Sequence, residues 1–326
     1  MMTIKKLIAC AIAPVVAATA LTLSLSASAE RMRLGHVTPP SHIWHKVAER
    51  FNDNLKQESG GKDSLMIFPL SKLGGDDQMI DLLQSGGMQL AILTAGSLSN
   101  RADEFNGWFL PFAFDNVSDA AAATQAPAAQ QMLADLKQHK LVGLGYTLAG
   151  MRHVISSKPI SSVDDFANKK IRAFPNKLFN DWWSQLGAAP TALAISDVSP
   201  ALTTNLLDAV DVDLDIVVGL KMYQQAPYLT LTNHMAFPGV VVASEVWWNK
   251  LGEEKQNQVL KAFREAEAWG FKQQAEAEVS NLERLKAEGV TVTEFDRAQL
   301  APVAQRIVDT YTAGNPAIKS FYEQTR

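Results

Sequence analysis

Cysteine is nearly absent from this chain, and basic residues are too few and too scattered to form a nucleic-acid surface. Cys10 is the only cysteine among 326 residues, so disulfides cannot stabilise the fold. The formal net charge is -4, with 30 Lys and Arg against 34 Asp and Glu, and there is no basic block. This composition argues against nucleic acid as a partner.

Common catalytic and nucleotide-binding motifs are also missing. Residues 143–145 read Gly-Leu-Gly, but the third glycine of a dinucleotide fingerprint does not follow at its spacing, and there is neither a P-loop nor a G-x-S-x-G elbow. His42, His45 and Glu49 would share a helix face without forming the H-E-x-x-H zinc motif. A polar helix start explains them better than zinc does, so we expect no cofactor and no metal.

The first 29 residues have the layout of an export signal. A start with two lysines is followed by an apolar run from about residue 7 to 25, and Ala-Ser-Ala then precedes Glu30. A basic start, an apolar core and small residues at the exit are typical of a cleaved signal peptide. No later apolar run approaches the length of a membrane span. We therefore expect a periplasmic protein, cleaved near Ala29 and without stable membrane insertion.

Strand and helix patterns alternate along the rest of the chain. Strand-like segments at residues 32–37, 64–69 and 90–93 are separated by helical spacing at 42–57 and 76–84. This β-α-β-α-β order predicts a parallel or mixed sheet with helices on both faces. An alanine-rich stretch at residues 118–140 predicts a helix. A second β-α-β-α-β layout follows, and its last predicted strand runs from Asp208 to Asp215.

The length of the chain predicts two lobes. After a 29-residue signal, 297 of the 326 residues remain, which is long for one hydrophobic core. The periodic run at residues 253–288 predicts a helix of about 50 Å. Such a helix exceeds one small lobe, so we expect it to run along both.

Two arginines stand in apolar surroundings. Arg172 lies on a predicted strand, and Arg152 lies between Met151 and another strand. A buried arginine is costly unless an anion pairs with it, and its planar guanidinium suits a carboxylate held by two parallel bonds. The anion is either a ligand carboxylate or an aspartate of this chain, and the residues alone favour neither.

Three alternating aspartates are the candidates for that internal partner. If Asp211, Asp213 and Asp215 lie on one strand, their side chains point to one face. A calcium loop would need glycine after the third aspartate, where Ile216 stands. Three interpretations stay open: a polar wall facing a ligand, a solvated strand end, or the metal site of a periplasmic enzyme that uses this cluster or His36.

Aromatic side chains gather near the arginines. Phe174 stands two residues beyond Arg172, on the same face of the predicted strand, which makes it a good ligand contact. Trp182, on the following helix, fits a core position at least as well. Together with Trp44, these side chains would suit an aromatic acid.

Four ordered stretches resemble the solute-binding subunits of tripartite ATP-independent periplasmic (TRAP) transporters, of the DctP type, over almost the whole mature chain. They are residues 34–42, the Pro-Leu-Ser-Lys-Leu-Gly-Gly-Asp turn and helix at 69–86, Lys170-Ile171-Arg172 with residues 186–191 and 206–209, and His234 with Val246-Trp247-Trp248 and Leu251. No single stretch decides the resemblance, but the ordered set is specific.

The resemblance implies a two-lobed α/β periplasmic binding protein with a ligand cleft between the lobes. Lobe I would comprise residues 30–149 and 238–270, and lobe II residues 150–237 and 271–326. The protein would capture a small organic carboxylate without catalysis and deliver it to a TRAP membrane permease, although a ligand-sensing co-receptor needs the same cleft. We expect a monomer.

The resemblance also implies individual ligand contacts. Arg172 would clamp the substrate carboxylate, Arg152 would assist it, and the first loop would bring in His36. Val212 stands where the family often has an asparagine that touches ligand, so substrate identity does not carry over. Either its role would pass to Asp213 or Asp215, which can accept a bond from a hydroxyl or amino group, or the pocket would be more apolar there.

Overall fold

The computed structural model describes residues 29–326. The predicted signal peptide therefore lies outside the described residues, apart from Ala29. Among the helices of the described part, none is both long and apolar enough to cross a membrane.

The strands of the described chain divide between two sheets. They are β1 (Arg31–Gly35), β2 (Ser64–Phe68), β3 (Leu90–Thr94), β4 (Leu141–Met151), β5 (His153–Ser156), β6 (Lys170–Ala173), β7 (Ala189–Ala192), β8 (Ala209–Val212), β9 (Tyr228–Leu231), β10 (Ala236–Ser244) and β11 (Thr291–Glu294). The first sheet has the order β2-β1-β3-β10-β4, and the second has the order β11-β9-β5-β8-β6-β7.

Helices cover both sheets. They are α1 (Ile43–Glu58), α2 (Asp76–Gln84), α3 (Ala95–Leu98), α4 (Val117–Ala123), α5 (Pro127–Asp135), α6 (Lys177–Gln185), α7 (Ile195–Thr203), α8 (Leu214–Gly219), α9 (Glu245–Trp248), α10 (Glu253–Ala287), α11 (Ala301–Gly314) and α12 (Pro316–Gln324). The predicted β-α-β-α-β order of the first ninety residues is confirmed by β1 to β3.

Both sheets are mixed. In the first, β1 pairs in parallel with β2 and β3, whereas β10 runs antiparallel to β3 and β4. In the second, β6 is parallel to β7 and β8, and β5 is antiparallel to β8 and β9. All five residues of β3 are buried, as expected for a central strand covered on both faces.

The chain passes between the sheets along two adjacent segments. One leads from β4 through Arg152 into β5, and the other leads from β9 through residues 232–235 into β10. The two segments are bonded to each other, because the Arg152 amide donates to Met235 O at 2.7 Å and the His234 amide donates to Arg152 O at 3.3 Å. Arg152 therefore stands at the junction of the lobes.

Helix α10 is the third connection, and its 35 residues confirm the predicted long helix. It packs on α1 and β4 of the first lobe and on α8 of the second. Gly270 permits the close approach to α1, since a Cβ there would lie 2.5 Å from Val47 Cγ2. Gln274 donates to Ala149 O at 2.9 Å, which bonds the helix to the backbone of β4.

Two element predictions are wrong in detail. The predicted single helix at residues 118–140 is broken into α4, α5 and a 3-10 turn, with Pro127 starting α5. The predicted strand from Asp208 to Asp215 ends at Val212, because the Asp213 side chain caps α8 by accepting from the Ile216 amide at 2.9 Å.

The residue limits of the two lobes stay a prediction. Helix α12 lies in the tail that was assigned to lobe II, yet it packs on α5 and on the 3-10 segment Asp103–Phe109 of the first lobe. The predicted limits therefore assign α12 to one lobe and the elements on which it packs to the other.

Candidate ligand-binding site

A cavity of about 220 Å³ lies between the two lobes. Its wall on the side of the first sheet is mostly polar and includes Thr38, Asp76, Thr94, Ser97 and Asn100. Its wall on the side of the second sheet is mostly apolar around Arg172 and includes Phe174, Pro175, Ile195, Val212 and Ile216. Small-molecule sites typically occupy such a position between lobes.

Arg172 is the cationic group of this wall, and no carboxylate in the described part of the chain pairs with it. Its side chain is 3% exposed, and among residues 29–326 its only hydrogen bond runs from Nε to Leu193 O, at 3.0 Å. Burial, and then the neighbouring Arg152, lower the pKa of Arg172 to about 9. The guanidinium remains charged at neutral pH, with its terminal nitrogens available to an anion.

Arg152 is neutralised within the protein. Its Nε donates to Asp211 Oδ1 at 2.6 Å, its Nη2 donates to Asp211 O, and its Nη1 lies 3.4 Å from Asp213 Oδ2. Its guanidinium carbon also lies 4.4 Å from the centre of the Phe237 ring. Arg152 therefore has internal aspartates as its anionic partners, whereas Arg172 bonds only a carbonyl oxygen among the described residues.

The aspartate cluster does not converge on one point. Burial alone would raise the pKa of Asp211, but Arg152 and then His234 outweigh it, so the carboxyl stays ionised. Asp215 lies in α8 and accepts from the Ile43 amide at 2.7 Å, at the start of α1. No group of His, Cys, Asp or Glu side chains in residues 29–326 is arranged to hold a metal ion.

Five of the predicted ligand contacts line the cavity: Arg172, Arg152, Phe174, Asp213 and Trp44. Phe174 packs closely against the first lobe, since a Cβ on Gly96 would lie 2.6 Å from its ring. The positions of these side chains agree with the sequence-based hypothesis, but their contact with a ligand stays a prediction.

The other three predicted contacts lie behind the cavity wall. His36 is fully buried, with Nε2 3.0 Å from His45 Nδ1 and Nδ1 2.9 Å from Thr38 Oγ1. Trp182 stacks on His234 with 5.7 Å between ring centroids, and Asp215 is bonded to the start of α1. This placement does not favour direct contact, because protein groups already occupy the faces of these side chains, and their contact with a ligand stays a prediction.

His42 is a cavity residue that the sequence analysis weighed only as a zinc ligand and not as a ligand contact. Its Nδ1 accepts from the Trp44 amide at 3.1 Å and so caps α1, which leaves the proton on Nε2. That Nε2 lies 3.6 Å from Asp213 Oδ1 and has no hydrogen-bond partner among the described residues. Trp44 Nε1 is likewise buried without a partner.

Asp76 was also missed, although it ends the Leu-Gly-Gly-Asp stretch that carried the resemblance. Its Oδ2 accepts from Thr94 Oγ1 at 2.6 Å and from Ser97 Oγ at 2.9 Å. Burial, only partly offset by these bonds, raises the pKa of Asp76 to about 6. A polar residue that opens a helix usually reads as a cap, so only the three-dimensional contacts identify Asp76 as a wall residue.

Comparisons with known proteins agree with this geometry. The chain has 26% identity to the crystal structure of the sugar acid binding protein DctPAm from Advenella mimigardefordensis in complex with galactonate, covering 91% of this chain and 98% of that one with a TM-score of 0.88. It has 26% identity to a TRAP periplasmic solute binding protein from Xanthobacter autotrophicus with bound β-D-galacturonate, covering 90% and 98% with a TM-score of 0.85.

Curated sequences give the same result. The C4-dicarboxylate-binding periplasmic protein DctP of Rhodobacter capsulatus is 25% identical over 283 residues, which are 85% of this chain and 84% of that protein. The two-lobed fold with a cleft is thereby confirmed, as is the resemblance to TRAP solute-binding proteins. Residues 34–315 match the family model, and the chain therefore belongs to the bacterial extracellular solute-binding proteins, family 7.

Proposed function

We propose that this protein captures a small organic carboxylate in the cavity between its lobes and delivers it to a TRAP membrane permease. The observation that supports the proposal best is the uncompensated charge of Arg172, because a buried guanidinium without an anion is unfavourable. A ligand carboxylate would supply two charge-assisted bonds, in a place where the second lobe offers otherwise apolar contacts.

The role of Arg152 in this proposal is indirect. It holds Asp211 and Asp213 in place, beside the segments that join the lobes. Closure of the lobes would exclude water from the cavity and strengthen the bonds to Arg172. Capture would therefore depend on Arg172 for the anion and on Arg152 for the shape of the hinge.

The proposal concerns a binding protein and not an enzyme. Asp211, Asp213 and Asp215, which the metal-enzyme alternative would use, bond to Arg152 and to the starts of α8 and α1. Family membership supports export, and we extend it to cleavage near Ala29 and to a periplasmic location.

A thermal-shift screen of residues 30–326 against a library of small acids tests the proposal. A ligand at a hundredfold excess over its dissociation constant adds about 2.7 kcal/mol to the free energy of unfolding, which raises the melting temperature by a few degrees. We expect one class of carboxylates to give this shift, Arg172→Ala to abolish it and Arg172→Lys to weaken it, since lysine keeps the charge but not the planar fork. An unchanged shift in Arg172→Ala would refute the clamp.

A further inference from the structure

The polar wall of the cavity contains one buried acceptor for which the described residues supply no donor. Asp76 is 8% exposed and lines the cavity, and its Oδ1 has no hydrogen-bond partner among the described residues. Its other oxygen is fully engaged, by Thr94 Oγ1, the Thr94 amide and Ser97 Oγ. A buried carboxylate oxygen without a donor is costly, so the site is incomplete until a donor arrives.

The surroundings of Asp76 indicate what kind of donor fits. Arg101, a nearby cation, is 2.8 Å from the adjacent Asp77 and not bonded to Asp76. Apart from Asp77 and His42, the polar side chains on this wall are neutral groups that both donate and accept, namely Thr38, Ser71, Gln78, Thr94, Ser97 and Asn100. Hydroxyl groups match such a wall, because they also donate and accept.

A second carboxylate at the other end of the ligand would find no favourable partner on this wall. It would face the negative charge of Asp76, and Asp77 also lines the cavity. Among the described residues that line the cavity, Arg172 is the only arginine without a carboxylate partner, and one ligand carboxylate would satisfy it. Like charges at close range in a buried site are unfavourable.

We propose that the ligand is a hydroxylated monocarboxylate, whose carboxylate binds Arg172 while a hydroxyl at its other end donates to Asp76 Oδ1. This inference rests on the proposed function, since it assumes that the cavity binds a carboxylate at Arg172. According to this proposal, the protein binds hydroxylated monocarboxylates in preference to dicarboxylates without hydroxyl groups. Asp76 is the specificity-determining residue of the site.

Isothermal titration with acids of one chain length tests the inference. The panel consists of the stereoisomeric hexonates, hexanoate without hydroxyls, adipate with a second carboxylate, and 6-aminohexanoate with a terminal ammonium. We expect at least one hexonate to bind about tenfold or more tighter than each of the other three acids, since a site built for a hydroxyl rejects an analogue that lacks it.

The variant Asp76→Asn sharpens the test. If the asparagine oxygen keeps the Thr94 and Ser97 bonds, its amide NH2 takes the place of Oδ1 and turns the acceptor into a donor. We expect this variant to lose about tenfold or more in hexonate affinity and to bind adipate better than the natural protein does. Asp81→Asn removes the same charge from an exposed position of the same helix, outside the cavity, and should leave the order of affinities unchanged.

The outcomes distinguish this inference from the proposed function. Binding of no acid, either in this panel or in the thermal-shift library, would refute both. Tightest binding of adipate, hexanoate or 6-aminohexanoate would overturn the hydroxyl assignment while leaving carboxylate capture intact. Unchanged hexonate affinity in Asp76→Asn, with an unchanged melting temperature to show that the variant folds, would also overturn it.

Discussion

At the scale of single residues, the two buried arginines differ in what surrounds them. Arg152 has two carboxylates and a carbonyl as acceptors, whereas Arg172 has one carbonyl. Removing one partner of a buried ion pair leaves the other charge buried and unpaired. The two residues should therefore respond differently to the same substitution.

We expect Arg152→Ala to lower the free energy of unfolding by about 3–5 kcal/mol, because Asp211 and Asp213 lose their cation. Arg172→Ala should cost much less, since it removes a charge with which no carboxylate of the described residues pairs. Urea unfolding of both variants measures the difference. Equal losses of stability would contradict the assignment of Arg152 as a hinge residue and Arg172 as a ligand residue.

His36 provides a second prediction at this scale. Burial, and then His45 and His42, lower the pKa of His36 to about 3. Because the unfolded chain takes up a proton near pH 6.5 and the folded chain does not, His36 costs stability as the pH falls from 6.5 toward 3. Its contribution to the slope is about 1.4 kcal/mol per pH unit.

We therefore expect His36→Gln to have a shallower loss of stability between pH 6.5 and 4 than the natural protein. Denaturant unfolding at a series of pH values measures both slopes. His139→Gln, at a partly exposed histidine, serves as the matched control. Parallel curves for His36→Gln and the natural protein would show that His36 is protonated in the folded state.

Some of the residues that line the cavity could be predicted from the sequence, and others could not. It identified Arg172, Phe174 and Trp44, since charged or aromatic residues in apolar strands and helices are unusual enough to be noticed. It did not find Asp76 or His42, because a polar residue at a helix start is ordinary in any fold. Only the missing hydrogen bonds of their side chains distinguish them.

At the scale of elements, side chains of helix α10 form hydrogen bonds with the backbone of the connecting strand β4. Glu267 accepts from the Tyr146 amide at 2.7 Å, and Gln274 donates to Ala149 O. Gln274 also donates to Glu278 Oε1 at 3.0 Å, one turn further along. Burial, and to a lesser extent the negative charge of Asp213, raises the pKa of Glu278 to about 8.

We expect Glu278→Gln to stabilise the protein at pH 8 and to have little effect at pH 4.5. A carboxyl whose folded pKa is raised stabilises the fold below its unfolded pKa of about 4.5. That stabilisation is lost as the pH rises through 8, and glutamine avoids the loss while keeping a side-chain oxygen as an acceptor. Melting temperatures at the two pH values measure this, and an effect that is equal at both would contradict the raised pKa.

Elements with strong periodicity were predictable, and those ended by a local cap were not. The long apolar repeat of α10 and the order from β1 to β3 follow from periodicity alone. Strand β8 was predicted too long, because alternation continues through Asp215 while the Asp213 cap starts a helix. A side chain that bonds its own backbone overrides a period-two pattern.

At the scale of the whole molecule, three connections and a few polar bonds join the lobes. Asp215 is the most direct of these bonds, since it accepts from the Ile43 amide at the start of α1 and from Asn281 of α10, at 3.3 Å. The start of α1 carries the partial positive charge of a helix terminus, which favours a carboxylate there. Asp215 thereby ties α8 of the second lobe to the first.

We expect Asp215→Asn to weaken binding of every ligand by a similar factor of a few, because it loosens the closed arrangement without touching the ligand. Titration with several acids checks this, and Asp76→Asn provides the contrast, since its effect should depend on the ligand. A selective loss in Asp215→Asn would indicate direct contact and would restore the role that the sequence suggested for this residue.

The overall architecture was the most predictable feature, because length, alternation and the ordered motifs all point to it. The residue limits of the lobes were less predictable from the sequence, because α12, near the end of the chain, packs on the first lobe. Packing between distant segments leaves no local pattern in the sequence.

A crystal structure of the protein with the tightest-binding acid tests the central claim most directly. We predict that the ligand carboxylate lies against the terminal nitrogens of Arg172, inside the cavity between the lobes, while Arg152 keeps its bonds to Asp211 and Asp213. A ligand carboxylate bound elsewhere, with Arg172 turned to a protein carboxylate, would contradict the account.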